Sequence, residues 1–534
     1  MTLIPIHNIG AIGVIADRPA HTLPPEAWTS SQNMRFIRKQ AYRMKGHSQV
    51  LGTPSVDPGF LLNVPGSGGS SFWLYGDTAH VYVNDGGVHT QITRLAGASP
   101  YTAVNLWDWN TCVLGGIPIL NNGADVPQYW PALSAGTDLA DAPFWATYPD
   151  ANLRAKVVRS FGRFVVALNT TSAAGLFPNR VIWSHGADPG SLPSSIDVSD
   201  PTVDAGQSDL TDVLSGEIRD GLILGSFFYI YKEAATHVMR FVGGQDIMYL
   251  DFVLNTGILA TRCVCLIDRG RRHFVVTEDD IIFHRGSKES HESVVEEKDR
   301  ETIFTELNQD ARDTCFVFEN AQTNEAFFCY PTSGASLPNK AFVWNHKYNT
   351  TYFRSWNGLD VGYGAIVDST GLTWATVTST WDTIDGPWSI VGGKALVIAD
   401  PDATKFYQLE LGDVYGDSVV TSFLERTGLA IVGKDRQGEA KVDYESIKQV
   451  SRVWAKIRGA GAANVQVQVG SQEELDGTVT WSLPKTFDPA VKYLDFDDEA
   501  GVSGRLNAIR FSSAVDAHWQ LEGYTLEVNV ISQL

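Results

Sequence analysis

The sequence predicts an all-β chain: an irregular six- or seven-bladed β-propeller-like body with an additional C-terminal β-sandwich-like domain. Three observations carry this expectation. Short hairpins with aromatic and β-branched residues on both sides of a turn recur at roughly 40 to 65 residues as far as residue 411. Aromatic residues stand near hairpin ends, at Trp130, Trp183, Phe241, Trp344 and Trp388. After Gly412 the pattern changes to at least six short alternating strands, enough for a compact sandwich.

The 534 residues exceed what a single small core uses, and 43% hydrophobic against 19% charged residues excludes wholesale disorder. Glycine (49) and proline (23) are slightly enriched without a collagen period, which fits turn-rich globular structure. The formal charge of −20 argues against a groove that neutralises phosphates, although it would let nucleic acid pass an acidic lumen without sticking. Five cysteines, Cys112, Cys263, Cys265, Cys315 and Cys329, are an odd and sparse set, so a reducing assembly compartment is the simpler expectation than a disulfide scaffold. No secretory leader pattern opens the chain, and apolar runs such as 221–231 (GLILGSFFYIY) fall short of the roughly 18 residues of a membrane span. A soluble chain is expected.

Taken in order, residues 1–54 form a basic N-terminal assembly segment. Within residues 1–50, Arg18, Arg35, Arg38, Lys39, Arg43 and Lys45 oppose only Asp17 and Glu26, a local +4. The propeller-like body spans 55–411. Residues 72–83 turn at Gly76-Asp77, Asn84-Asp85-Gly86-Gly87 leads into 88–93, and 157–168 turns at Gly162. The run 222–231 is followed by 237–242, and pairs follow at 273–277 with 281–284, 316–319 with 326–330, and 394–399 with 405–411. A charged helix is expected near 294–308, where Val295, Asp299, Ile303, Phe304 and Leu307 have mostly helical spacing and Glu296 precedes Arg300 by one turn. Residues 186–212 read as a long polar loop. In the last unit, 412–534, residues 431–445 read as a linker or exposed loop. Val465, Val467 and Val469 then form the buried phase of a strand, with Asn464, Gln466 and Gln468 in the polar phase.

The sequence lacks the phosphate-loop, dinucleotide, zinc-protease and EF-hand patterns. No catalytic residue, cofactor or metal ligand is assigned. Cys263 and Cys265 share one strand face and read as buried small side chains. His237, His273, His284 and His291 could meet only through the fold, and His185 reads as a turn residue. The turn 269–273 (RGRRH) either faces water or anchors an acidic neighbour or a phosphate. Residues 368–374 (DSTGLTW) are similar to the Asp-box of sialidase-like propellers at Gly371, Thr373 and Trp374, with Ser369 at the acid position.

Residues 23–46 (LPPEAWTSSQNMRFIRKQAYRMKG) resemble the opening of nozzle proteins of short-tailed bacteriophages, the tail tubular B class. A second stretch, 324–331 (NEAFFCYP) with 339–353 (NKAFVWNHKYNTTYF), resembles that family's aromatic hairpin, although Tyr352-Phe353 stands where the family often has tryptophan. The segment with Ile303, Phe304, Leu307 and Asn308 lies where the family places a charged helix. The resemblance implies a structural subunit of a virion tail, made in the host cytoplasm. Six copies would form a ring below the portal and adaptor, with tail-fibre contacts, through which double-stranded DNA leaves the capsid.

On that expectation Arg35, Arg38, Lys39, Arg43 and Lys45 are assembly candidates. Residues 470–534 carry a local −7, and Glu473, Glu474, Asp497, Asp498 and Glu499 are lumen or distal-rim candidates. The alternatives are a carbohydrate-binding or carbohydrate-cleaving propeller, which needs an aromatic-lined pocket with convergent polar groups, and a generic protein-interaction propeller.

Overall fold

The computed structural model of the chain describes residues 2–66, 71–94, 100–210, 216–244, 246–287, 291–366, 394–416, 418–434, 440–475, 477–497 and 502–532. Among the described residues, seven four-stranded antiparallel sheets follow one another along the chain. They occupy 60–91 (sheet one), 110–141 (two), 154–209 (three), 218–254 (four), 264–293 (five), 316–355 (six) and 360–409 (seven). The first six are simple meanders, in which each strand pairs with the next along the chain. Sheet one shows why: Gly86 and Gly87 have φ of 56° and 90°, the left-handed pair that a two-residue hairpin turn needs.

Sheet seven borrows its fourth strand, His47–Gln49, from the N-terminal part of the chain, paired to Lys405–Leu409. The first strands of all seven sheets face one cavity, to which Leu61, Thr111, Arg159, Asp220, Leu266, Val317 and Val361 contribute. The body is therefore propeller-like. Where sheet seven meets sheet one, Gly362 and Gly364 leave bare backbone against Trp73 and Asn63, and a Cβ at either position would collide with them.

The hairpins expected at 72–83, 88–93, 157–168, 273–284, 316–330 and 394–411 lie within these sheets. The run 222–231 differs, because Gly225, with φ 64°, turns it into two strands, Ile218–Leu224 and Phe227–Lys232. Trp130, Trp183 and Trp344 are buried, whereas Phe241 is 55% exposed. Trp388 and the Asp-box-like stretch lie outside the described residues.

The helix is shorter than 294–308. Only Arg300–Glu306 (α1) is α-helical, because Glu297 takes φ 55° and breaks the preceding turn. Arg300 pairs with Asp280 at 2.9 Å rather than with Glu296. The start of α1 is capped from a distance: Asp17 accepts hydrogen bonds from the Glu301 and Thr302 backbone N–H groups at 2.6 and 2.9 Å. Most of the polar stretch 186–212 is a packed loop, with Ile196 fully buried, and Gly206–Asp209 forms the outer strand of sheet three.

Beyond residue 412 the described residues build two large sheets and a separate two-stranded one. One large sheet joins Ser422–Leu429, Gln466–Gln472 and Leu506–Ser513, and the other is built on Ile447–Arg458 and Gln520–Ser532. Val465, Val467 and Val469 are buried, the phase expected from their alternation. Of the stretch 431–445, expected as a linker or exposed loop, Ile431–Lys434 pairs with Ala440–Val442, and Lys441, Val442, Tyr444 and Glu445 are exposed.

The N-terminal residues are part of this unit. Ser30–Gln32 extends the first sheet, while Thr2–Ile6, Met34–Ile37 and Gln40–Arg43 extend the second. Trp28 fills the space between the sheets against Phe511 and Tyr524, at ring distances of 6.3 and 6.1 Å. The segment 1–54 thus stitches both units together.

Candidate functional site

The shared cavity of the seven sheets is about 520 Å³. Its wall is crossed by ion pairs. Arg159 on sheet three holds Asp220 on sheet four with two hydrogen bonds, 3.0 and 2.9 Å. Asp220 also accepts the Arg262 backbone N–H at 3.0 Å, and the Arg262 guanidinium lies 3.8 Å from Asp360 on sheet seven. Asp360 in turn accepts the Leu61 N–H of sheet one at 2.8 Å. Burial raises the Asp360 carboxyl above its ordinary range. These groups tie neighbouring sheets across the axis, and a duplex roughly 20 Å wide could not thread between them.

The seam between sheets six and seven is closed from outside by Arg35. Its guanidinium donates to Glu325 at the start of the second strand of sheet six, at 2.8 Å, and to Glu410 just beyond the third strand of sheet seven, at 2.7 and 3.0 Å. Arg354 of sheet six reaches Glu410 at 3.2 Å, and the Tyr352 hydroxyl donates to Glu325. Burial alone would raise the Glu410 carboxyl, but Arg35 and Arg354 hold it below its usual range.

The two stretches that carry the family resemblance meet at this seam. Asn33 bonds the backbone N–H of Ser355 at 2.8 Å, Thr350 donates to the Phe36 carbonyl at 3.1 Å, and Phe36 packs edge-on against Tyr352 at 5.9 Å. Arg35 and Glu325 lie 290 residues apart in sequence.

This geometry corrects the assembly candidates. Arg35 and Arg43 are not surface charges: Arg43 is fully buried, bonding Asp516 at 3.1 Å and the Asp413 carbonyl at 3.0 Å. A basic count along the sequence cannot distinguish a free cation from one neutralised by a distant carboxylate. Arg38, Lys39 and Lys45 are exposed. Arg38 and Lys39 form the turn between Met34–Ile37 and Gln40–Arg43 with φ of 50° and 64°, a strained pair for side chains other than glycine or asparagine. Among the acidic candidates, Glu473, Glu474 and Asp497 are exposed, with Asp497 lying 3.7 Å from Arg452. Asp498 and Glu499 lie outside the described residues.

The fold brings two of the four scattered histidines together. Tyr231 sits between His273 Nδ1, at 2.6 Å, and His284 Nε2, at 2.7 Å. His273 Nε2 donates to the Ile223 carbonyl at 3.0 Å, and His284 Nδ1 accepts the Gly286 N–H at 3.1 Å. The chain is satisfied with both imidazoles neutral, running Gly286 to His284 to Tyr231 to His273 to Ile223. Burial lowers His273 to about 4 and His284 to about 3. His237 packs on Phe252, and His291 is exposed. His185 Nδ1 accepts the Asp204 N–H at 2.9 Å and so anchors the long loop. Cys263 and Cys315 are buried side by side, and burial pushes the Cys263 thiol up to about 12. In the turn 269–273, Arg272 is tied to Asp268 at 3.0 Å and His273 is buried, leaving Arg269 and Arg271 exposed.

A second recess of about 420 Å³ opens at the start of the inner strands beside Trp107. Its carboxylates are engaged within the chain. Glu217 accepts from Lys156 at 3.0 Å and Asn169 at 2.9 Å, and Asp108 caps Asn105 at 2.8 Å.

No protein-family model matches the chain. No curated protein matches it either. Among solved structures, Hsv2 of Kluyveromyces lactis is similar at 8% identity over 55% of this chain and 83% of its own, with a TM-score of 0.30. A likeness that slight carries no argument about either protein's role.

Proposed function

We propose that this chain is a structural subunit of the tail nozzle of a short-tailed bacteriophage, one of six copies in a ring that conducts the genome out of the capsid. The observation that carries the proposal is the seam. The two stretches resembling the nozzle family, far apart in sequence, pack on each other there and share the ion pair of Arg35 with Glu325. Residues chosen to hold two units rigidly together suit a load-bearing subunit.

In this reading the seven sheets are seven blades of a ring fastened by His47–Gln49. The cavity within one subunit is too small and too crossed by ion pairs for a duplex, so the passage lies between copies. The subunit performs no catalysis and needs no cofactor. Its partners are further copies, a portal-proximal adaptor and tail fibres, in the virion tail and, during assembly, in the host cytoplasm. Electron cryomicroscopy of the purified protein tests this: a hollow sixfold ring is expected. A solid monomer, or a ring with a bore narrower than roughly 20 Å, would overturn it.

The strained turn at Arg38 and Lys39 gives a second test. Arg38→Asn with Lys39→Gly is expected to stabilise the monomer by about 1 kcal/mol, because those residues accept left-handed backbone. The same change is expected to weaken ring formation at moderate salt by removing two cations from an acidic assembly. Thermal denaturation and sedimentation velocity read the two effects separately, and unchanged assembly across a salt series would remove this turn from the contact.

A further inference from the structure

We infer that the Asp299 carboxyl is a proton-operated latch: protonated, it fastens the strap formed by residues 13–17 to sheet six and α1, and loss of its proton to water as the pH rises loosens that strap. The strap runs between the two units of the chain. Toward the C-terminal unit, the Gly13 carbonyl accepts the Trp28 N–H at 3.0 Å, and the Ile15 N–H donates to the Trp28 carbonyl at 2.9 Å. Toward the seven sheets, the Val14 N–H donates to the Thr351 carbonyl at 3.1 Å, and the Ala16 and Asp17 N–H groups both reach the Lys298 carbonyl at 2.8 Å. The approach is close, because a Cβ at Gly13 would lie 2.7 Å from the Thr351 carbonyl oxygen.

Asp299 sits at this crossing and is fully buried. Its Oδ1 accepts the Ala16 N–H at 3.2 Å, while its Oδ2 has no hydrogen-bond partner. The Thr351 hydroxyl stands beside the carboxyl, but its single hydrogen goes to the Val14 carbonyl at 3.1 Å. An ionised Asp299 would leave Oδ2 bare in the interior, and Thr351 would serve it only by releasing Val14. A protonated Asp299 instead donates from Oδ2 to the lone pairs of the Thr351 oxygen, so both carboxyl oxygens are satisfied and the strap, sheet six and the start of α1 are joined.

The charges facing the carboxyl act in both senses. Asp17 on the strap, which accepts the Glu301 and Thr302 N–H groups and the Thr302 hydroxyl, adds negative charge beside it. Tyr330 of sheet six also feels Asp299, and its hydroxyl donates to Glu306 of α1 at 3.3 Å, where Lys340 pairs with Glu306 at 2.6 Å. Lys298 opposes Asp17, although burial holds its ammonium below the usual lysine range. Burial, with Asp17, raises the Asp299 carboxyl to about 7 against Thr351, Ala16 and Lys298. In a loosened strap the same group would ionise near its ordinary value of about 4, so the loosened state gains on the fastened one as the pH rises from about 4 to about 7 and levels off above that.

The latch is independent of the ring reading, and hydrogen exchange of the full chain tests it, read by mass spectrometry on peptides covering 13–17 and 299–303 and corrected for the intrinsic pH dependence of exchange. Protection there is expected to fall about fiftyfold between pH 5 and pH 7 and only about twofold more above pH 7. The inner-lying strand Lys340–Asn345 of sheet six should show no such fall. In Asp299→Asn, whose amide can accept from Ala16 and donate to Thr351 at any pH, the fall is expected to vanish. Asp17→Asn, which removes the neighbouring negative charge, is expected to keep the fall but to move the pH at which it levels off below 7. Strap protection that holds or rises from pH 5 to pH 7 in the wild type overturns the latch, whether or not either variant folds. A fall that persists in Asp299→Asn, or disappears in Asp17→Asn, would give the proton to another group and overturn it as well.

Discussion

Glu325→Gln is expected to lower the unfolding free energy by about 3–5 kcal/mol, the usual effect of removing one partner from a buried ion pair. Arg35, which is charged and buried at the seam, would keep only Glu410, and the Tyr352 hydroxyl would face an amide instead of a carboxylate. The loss should exceed that of breaking an exposed pair such as Lys156 with Glu217, which is worth at most about 1 kcal/mol. Urea denaturation measures both. Arg35→Met combined with Glu325→Met should lose less than the sum of the single changes, because neither charge is then stranded. A loss below about 1 kcal/mol for Glu325→Gln would mean that the seam is held by packing rather than by Arg35.

Lowering the pH from 7 to 5 is expected to cost about 3 kcal/mol of stability. Burial holds His47, His273 and His284 at about 3, 4 and 3, so they remain neutral in the folded chain. In the unfolded chain they titrate near 6.5, so below that value the unfolded state binds more protons and gains on the folded one, by up to about 1.4 kcal/mol per histidine per pH unit. Asp299 acts in the opposite sense. Burial raises it to about 7, so it takes up a proton in the folded chain well before it does in the unfolded one and recovers about 2 kcal/mol over the same interval. Asp280 and Asp360, also raised by burial, share its sign. Denaturant titrations at half-unit steps should show stability falling through this window. A flat or rising profile would show that the histidine relay and His47 open to solvent in the native state.

The repeated hairpins were legible because their signals are short-range. A glycine pair such as Gly86 and Gly87 sets a turn, and alternation such as Val465, Val467 and Val469 sets a buried face, whatever the rest of the chain does. Helical spacing at 294–308 was also local, but a single left-handed residue at Glu297 and a cap supplied by Asp17 limited the helix to Arg300–Glu306. The exposure of Arg38, Lys39 and Lys45 fits the basic count, while Arg35 and Arg43 do not. All five look alike in sequence, because burial of a charge depends on a partner that proximity along the chain does not reveal.

By itself, then, the sequence determined an acidic, turn-rich, nearly all-β chain with its hairpins in order and a change of character near residue 412. Only the tertiary structure decided that residues 2–49 supply strands to both units, that the inner strands share one cavity, and that Tyr231 joins His273 to His284. The physical reason is the range of the interactions. Backbone turns and alternation are set within a few residues, whereas closing a ring and pairing Arg35 with Glu325 across 290 residues depend on which surfaces become neighbours once every sheet has packed.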